Sequence, residues 1–176
     1  MGSFPKQRVQ HSRPFTTTSV DFAGPLIIRS GIRGRPGKNA LIAIFVCFST
    51  RAVHIEAVED LTANAFLTAF RRFVSRRGKP NMVWSDNGTN FIGGCKELTV
   101  YVSKVDGFLA SEGVTWKFNP PATPHFCGIW ESAVKSAKFH LTRVVRGTSL
   151  TLSELQTLLC QIEAYMNCQP LTIKRV

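Results

Sequence analysis

The sequence predicts an α/β domain built on a five-stranded mixed sheet flanked by helices. Three observations lead there. Up to Val58 the chain carries three runs of strand character separated by turn signals, as an antiparallel meander would. After Val58 the hydrophobic period lengthens, and helical stretches alternate with short apolar strands, an order that favours parallel pairing of the last two strands. Hydrophobic residues make up 44% of the 176 and charged ones only 19%, enough apolar surface for one core.

Residues 1–14 are polar and basic and read as a flexible arm; residues 15–171 read as one domain and 172–176 as a short tail. In Thr16–Phe22, Thr18, Val20 and Phe22 alternate with Ser19 and Asp21, a first strand with Asp21 pointing away from Val20 and Phe22. The Gly/Arg-rich stretch RSGIRGRPGKN is a loop. Ala40–Phe48 is apolar throughout, as a strand covered on both faces would be. AVHIEAV is a third strand. Phe66, Ala69, Phe70, Phe73 and Val74 then fall on one helical face, and Arg77-Gly78-Lys79-Pro80 stops that helix. NMVWS is a fourth strand, ending at Asp86. Phe91–Glu112 reads as largely helical, interrupted near Gly107, and Val114–Phe118 as a fifth strand. NPPATPHFCG, with three prolines and a glycine, reads as irregular, so the next helix is expected to begin around Ile129–Glu131 and to run to about Val145. Thr151 and Glu154 form a capping box for a last helix striped by Leu155, Leu158, Leu159, Ile162 and Met166 and ended by Pro170.

The charge is lopsided: 22 Lys and Arg against 11 Asp and Glu, a formal +11. Such an excess points to a polyanionic partner, most often nucleic acid, or to a merely basic protein. Arg29, Arg33, Arg35 and Lys38, and Arg71, Arg72, Arg76, Arg77 and Lys79, can grip phosphates or be solvated surface. No apolar run reaches the roughly 18 residues of a membrane span. The N-terminus lacks an apolar signal-peptide core, so an intracellular protein is expected. Five cysteines without a CxxC suit a reducing compartment, and no structural zinc is expected.

With acids scarce, three stand out. Asp21 lies mid-strand, Asp86 closes the fourth strand, and Glu131 opens a helix. Alone, Asp86 can be a turn residue before Asn87-Gly88, and Glu131 can be a favourable charge at a helix start. Together they suggest a carboxylate cluster. Like charges repel unless something positive sits between them, and Mg²⁺, a hard cation that favours oxygen, is the usual solution. At about 100° per residue, Lys135 and Lys138 fall roughly 40° ahead of and 20° behind Glu131, so an acid and two lysines share one face. Lys135 can equally form a surface pair with Glu131.

SVDFAGPL around Asp21, WSDNGTNF around Asp86, and FNPPATPHFCGIWESAVKSAK through Glu131 carry a family resemblance. The chain resembles the catalytic core of retroviral-type integrases, of the RNase H-like fold. Through PHFCGIWESAVKSAK it is similar above all to integrases of BEL/Pao-type LTR retrotransposons. The likeness runs from about Arg13 to Leu171. It implies strands one to three antiparallel, with four and five as parallel additions. It implies Asp21, Asp86 and Glu131 as catalytic ligands of two Mg²⁺ or Mn²⁺ ions, and Lys135 and Lys138 as DNA contacts. It also implies a mobile loop over Asn119–Gly128, placing Asn119 and His125 near DNA. The activity implied is metal-dependent DNA phosphoryl transfer: 3′-end processing, then strand transfer in the nucleus by a homodimer or higher oligomer. An idle nucleic-acid-binding or self-associating remnant, or a simple RNase H-like nuclease, are the alternatives. Two departures stand out. The 44 residues between Asp86 and Glu131 exceed the spacing typical of retroviral integrases, and Cys127 stands where those enzymes carry Gln. The family's zinc-binding N-terminal and basic C-terminal domains have no counterpart in these residues, so the chain reads as a core, a fragment or a diverged copy.

Overall fold

The computed structural model describes residues 12–30, 36–60, 62–85, 95–118, 124–145 and 149–168. Five strands and four helices follow one another: β1 (Thr17–Ile28), β2 (Lys38–Cys47), β3 (Val53–Val58), α1 (Ala63–Arg77), β4 (Met82–Ser85), α2 (Cys95–Ser111), β5 (Thr115–Phe118), α3 (Pro124–Val145) and α4 (Leu152–Cys168). The sheet runs β3-β2-β1-β4-β5. β1–β2 and β2–β3 pair antiparallel, β1–β4 and β4–β5 parallel. The expected mixed sheet is therefore the observed one.

Both faces of the sheet are covered. On one, Val20, Phe45 and Val83 meet Phe66, Phe70 and Phe73 of α1 and Val105 and Leu109 of α2. Phe45 stacks on Phe73 with ring centroids 4.4 Å apart. On the other, Ala23, Ile44, Ile55 and Trp84 meet Ala133, Val134, Ala137 and Leu141 of α3 and Leu155, Leu158, Leu159 and Ile162 of α4. Burial on two faces explains why β2 reads as an uninterrupted apolar run.

Helix ends follow local chemistry. The Thr62 hydroxyl caps α1 by accepting from the Ala65 amide at 3.2 Å. Gly78, at φ 86°, closes α1 with its N–H on the Val74 carbonyl. The Arg13 guanidinium lies against Gly78, donating to the carbonyls of Arg77 (3.1 Å) and Lys79 (2.6 Å). The end of the N-terminal arm is thus anchored, while residues 1–11 lie outside the described residues. The capping box forms as read: the Thr151 amide donates to Glu154 at 2.7 Å, and the Glu154 amide donates to the Thr151 hydroxyl at 3.3 Å.

Three sequence expectations are corrected. α2 passes through Gly107 without a break. A glycine inside a helix costs only about 1 kcal/mol against alanine, and buried Val105 and Leu109 hold both sides of it. α3 begins at Pro124, so PHFCG is its first turn rather than loop. Proline suits the first helical position, where its missing N–H would have no intrahelical partner. β1 also runs six residues beyond Phe22, through a register shift between Ala23 and Leu26.

Candidate active site at the centre of the sheet

Asp21 sits on β1, the central strand, and is half-buried. Successive side chains alternate between sheet faces. Val20 belongs to the α1/α2 face, whereas Ala23 and Ile44, the cross-strand partner of Asp21, belong to the α3/α4 face. Asp21 therefore points to the layer in which α3 lies. Its Oδ1 accepts from the Phe22 amide at 2.7 Å. β4 runs beside β1 in parallel register, and their last pair is Val20 with Ser85. The next residue along each chain is an aspartate, Asp21 and Asp86. Asp86 itself lies outside the described residues. The Ser85 hydroxyl accepts from the Trp116 indole N–H at 2.9 Å, tying the end of β4 to β5.

α3 packs on β1 and β2 through Ala133, Val134, Ala137 and Leu141, and leaves Glu131, Lys135 and Lys138 exposed. The shared face of acid and lysines is thus a solvent-facing one. No ion pair joins Glu131 to Lys135 among the described residues, so the surface-pair reading of Lys135 gains no support. The expected loop Asn119–Gly128 divides: residues 119–123, with Asn119, lie outside the described residues, and His125 falls in the first turn of α3. Among the described residues no group of three or more His, Cys, Asp or Glu side chains is placed to hold a metal. Of the three expected acids, the described residues include Asp21 and Glu131 but not Asp86.

Sequence reading missed a buried charged network on the edge strand β3. His54 is fully buried; its Nε2 meets Glu56 at 3.0 Å and its Nδ1 meets Glu163 of α4 at 3.1 Å. Arg72 pairs with Glu56 at 2.7 Å, Arg76 with Glu56 at 3.4 Å, and Arg77 with Glu163. Three of the α1 arginines that read as phosphate grips or solvated surface thus face carboxylates of their own chain. Burial pushes the Glu56 carboxyl up, but hydrogen bonds from His54 and Arg72 outweigh it and hold the group below its ordinary range. Glu163 is held low in the same way, by His54 and the Ile55 amide. Burial opposes charge on His54 too, yet the two carboxylates raise its pKa. The missed signal was His54-x-Glu56 at strand spacing, which puts both side chains on one face. Glu163 comes from residues far along the chain, and only the fold brings it there.

Glu163 and Asn167 also close the sheet edge. The Ile55 amide donates to Glu163 at 2.7 Å, and Asn167 both accepts from the Val53 amide and donates to its carbonyl at 2.8 Å. These bonds occupy backbone groups through which an open edge would recruit another strand. No helix among the described residues is long and apolar enough to cross a membrane.

Solved structures share this fold. One is the simian T-cell lymphotropic virus intasome in complex with PP2A regulatory subunit B56 gamma (TM-score 0.66, 12% identity, 96% of this chain and 54% of that one). A second is the HTLV-2 integrase catalytic core domain in complex with magnesium, in dimeric form (TM-score 0.60, 16% identity, 89% and 88%). A third is the BIV integrase catalytic core domain (TM-score 0.58, 16% identity, 88% and 85%). The chain spans about half the length of the simian viral protein and most of each isolated core. No protein-family model matches the sequence, and no curated protein matches it. The fold is that of retroviral integrase catalytic cores, RNase H-like.

Proposed function

We propose that the chain is the catalytic core of a retroelement integrase. It transfers DNA phosphoryl groups with Asp21, Asp86 and Glu131 as its acidic triad. The observation that carries this reading is the β1–β4 register, which ends at Val20 and Ser85 with an aspartate next on each chain. Asp86 follows β4 directly in the sequence, and within β4 Trp84 faces the α3 layer as Asp21 does. Glu131 belongs to that layer's helix.

Brought together, the carboxylates of Asp21, Asp86 and Glu131 would form a hard, all-oxygen donor set, which suits Mg²⁺ or Mn²⁺. Two such ions held by these residues would lower the pKa of an attacking hydroxyl and stabilise the leaving oxygen. The HTLV-2 core was solved with magnesium, which agrees with this choice. The chain's own part is to hold three like charges together. The Phe22 amide, donating to Asp21 Oδ1, helps fix the orientation of that carboxylate. Lys135 and Lys138, exposed beside Glu131, attract and orient the DNA backbone. Water attacks a phosphodiester near the 3′ end of the element DNA; the P–O3′ bond breaks, which frees the element's 3′-hydroxyl and releases a short 5′-phosphorylated end fragment. That hydroxyl then attacks a target phosphodiester, forming a new P–O bond as the target's own P–O3′ bond breaks and its 3′-hydroxyl leaves. Asn119 and His125 are proposed as further DNA contacts, a homodimer or higher oligomer as the working form, and the nucleus as its place of action.

Joining and cleavage of a branched DNA in Mn²⁺ test the reading. Asp21→Asn keeps the size and the acceptor oxygen, so folding and DNA affinity should hold. Loss of a hydrogen bond behind a metal ligand already costs about 10- to 100-fold, so loss of the carboxylate should cost joining more than about 100-fold. Asp86→Asn and Glu131→Gln should do the same. Joining that survives in all three variants sinks the triad. Wild-type cleavage without joining would make the chain a nuclease, and DNA affinity without chemistry an idle binding module.

A further inference from the structure

α3 carries a row of residues whose far half, Phe139 and Arg143, the catalytic reading does not use. Glu131, Lys135, Phe139 and Arg143 follow one another at four-residue spacing, the spacing of a ridge on a helix surface. The ridge rises about 18 Å and winds roughly 120° around the helix. It starts at the proposed catalytic glutamate and leads away from it. Phe139 is 55% exposed, unusual for a phenylalanine, and the Arg143 guanidinium lies 5.2 Å from its ring centroid. His140 continues the aromatic row edge-on, 5.4 Å from Phe139 and 4.8 Å from Tyr165 of α4, itself 56% exposed. Cation and aromatic groups alternate across the surface of two helices.

Charge selects the occupant. Past Glu131 the exposed face of α3 carries Lys135, Lys138 and Arg143 and no acid. The two acids of α4 are engaged elsewhere, Glu154 with Thr151 and Arg29, and Glu163 with His54 and Arg77. A second copy docking this face on itself would set cation against cation. An anionic partner with flat apolar rings fits both the charge and the exposed aromatics. Bases within a duplex are already stacked, so only an unpaired strand offers them to a side chain.

We infer that this ridge is a track for single-stranded nucleic acid, with Phe139 and Tyr165 as base-stacking platforms and Lys135, Lys138 and Arg143 as phosphate contacts. The track guides an unpaired DNA end to or from Glu131. It rests on the proposed function for its direction, but not for its existence.

Fluorescence anisotropy in metal-free buffer separates the two. A 12-nucleotide single strand and an abasic strand of equal length are titrated against the chain and its variants. Phe139→Ala should weaken the normal strand about 5- to 30-fold, toward the lower end of base–aromatic stacking, and leave the abasic strand unchanged. Phe139→Trp should restore affinity. Arg143→Ala should weaken both strands and lower the salt slope by about 0.7. Equal affinities of wild type and Phe139→Ala for the normal strand overturn the inference, as does equal weakening on both strands. A Phe139→Ala variant that loses self-association while keeping DNA affinity also overturns it, making the row a contact between copies. Loss of joining in Glu131→Gln beside an inert Phe139→Ala leaves the integrase reading standing and removes the track. Stacking-dependent affinity in a chain without triad-dependent chemistry does the reverse.

Discussion

Glu163→Ala tests the network that locks α4 to the edge strand. One carboxylate accepts from the Ile55 amide at 2.7 Å, meets His54 at 3.1 Å and pairs with Arg77. Its side chain is 12% exposed, that of His54 is fully buried, and that of Arg77 is 34% exposed. Alanine strands the Ile55 amide, at about 1–3 kcal/mol. Removing one partner of a buried ion pair costs about 3–5 kcal/mol, including such stranded groups. Water can reach Arg77, so the lower end applies, about 3 kcal/mol in total. For a domain of this size each kcal/mol is about 2–4 °C, so Tm should fall by about 6–12 °C. Glu163→Gln keeps an acceptor for the amide and should cost about 1–2 kcal/mol.

The two variants also differ from wild type in pH dependence. His54 has a folded pKa above its ordinary 6.5, so its contribution is complete below 6.5 and is lost as pH rises through the folded value. Glu56 and Glu163 have folded values below their ordinary 4.5, so their contributions are complete above 4.5 and are lost as pH falls through the folded values. The network therefore stabilises most between about pH 4.5 and 6.5. Urea unfolding at stepped pH should show wild-type stability declining above that window, and a shallower decline in Glu163→Gln. A loss below about 1 kcal/mol in Glu163→Ala, or an unchanged pH slope in Glu163→Gln, would refute the reasoning.

Phe45→Ala removes a fully buried ring stacked 4.4 Å from Phe73 and should cost about 3–5 kcal/mol, read as a lower urea midpoint at constant m. Thr62→Ala removes the hydroxyl that caps α1 and should cost about 1 kcal/mol, with amide exchange speeding up in the first turn of that helix.

The elements that were legible in the sequence are those whose local pattern and tertiary environment agree. α1 was legible because its apolar period matches the face it buries, Phe66, Ala69, Phe70 and Phe73. Thr151 and Glu154 announced α4 because a capping box is complete within four residues. The start of α3 was misread because proline is a breaker inside a helix and a favoured residue at its first position, and composition does not distinguish the two. The continuity of α2 through Gly107 was misread because packing around Val105 and Leu109 offsets a weak local propensity.

By itself the sequence determined the period changes that make a mixed sheet, the basic charge, and the three acids with their motifs. Those are properties of neighbours along the chain. Only the tertiary structure decided that Asp21 faces the layer of α3, that β1 and β4 pair so that two aspartates follow their last rung, and that α1 arginines are held by Glu56 and Glu163. Each depends on groups distant in sequence meeting across a sheet face or edge. Strand register and helix packing settle such meetings, and no short stretch of residues records them.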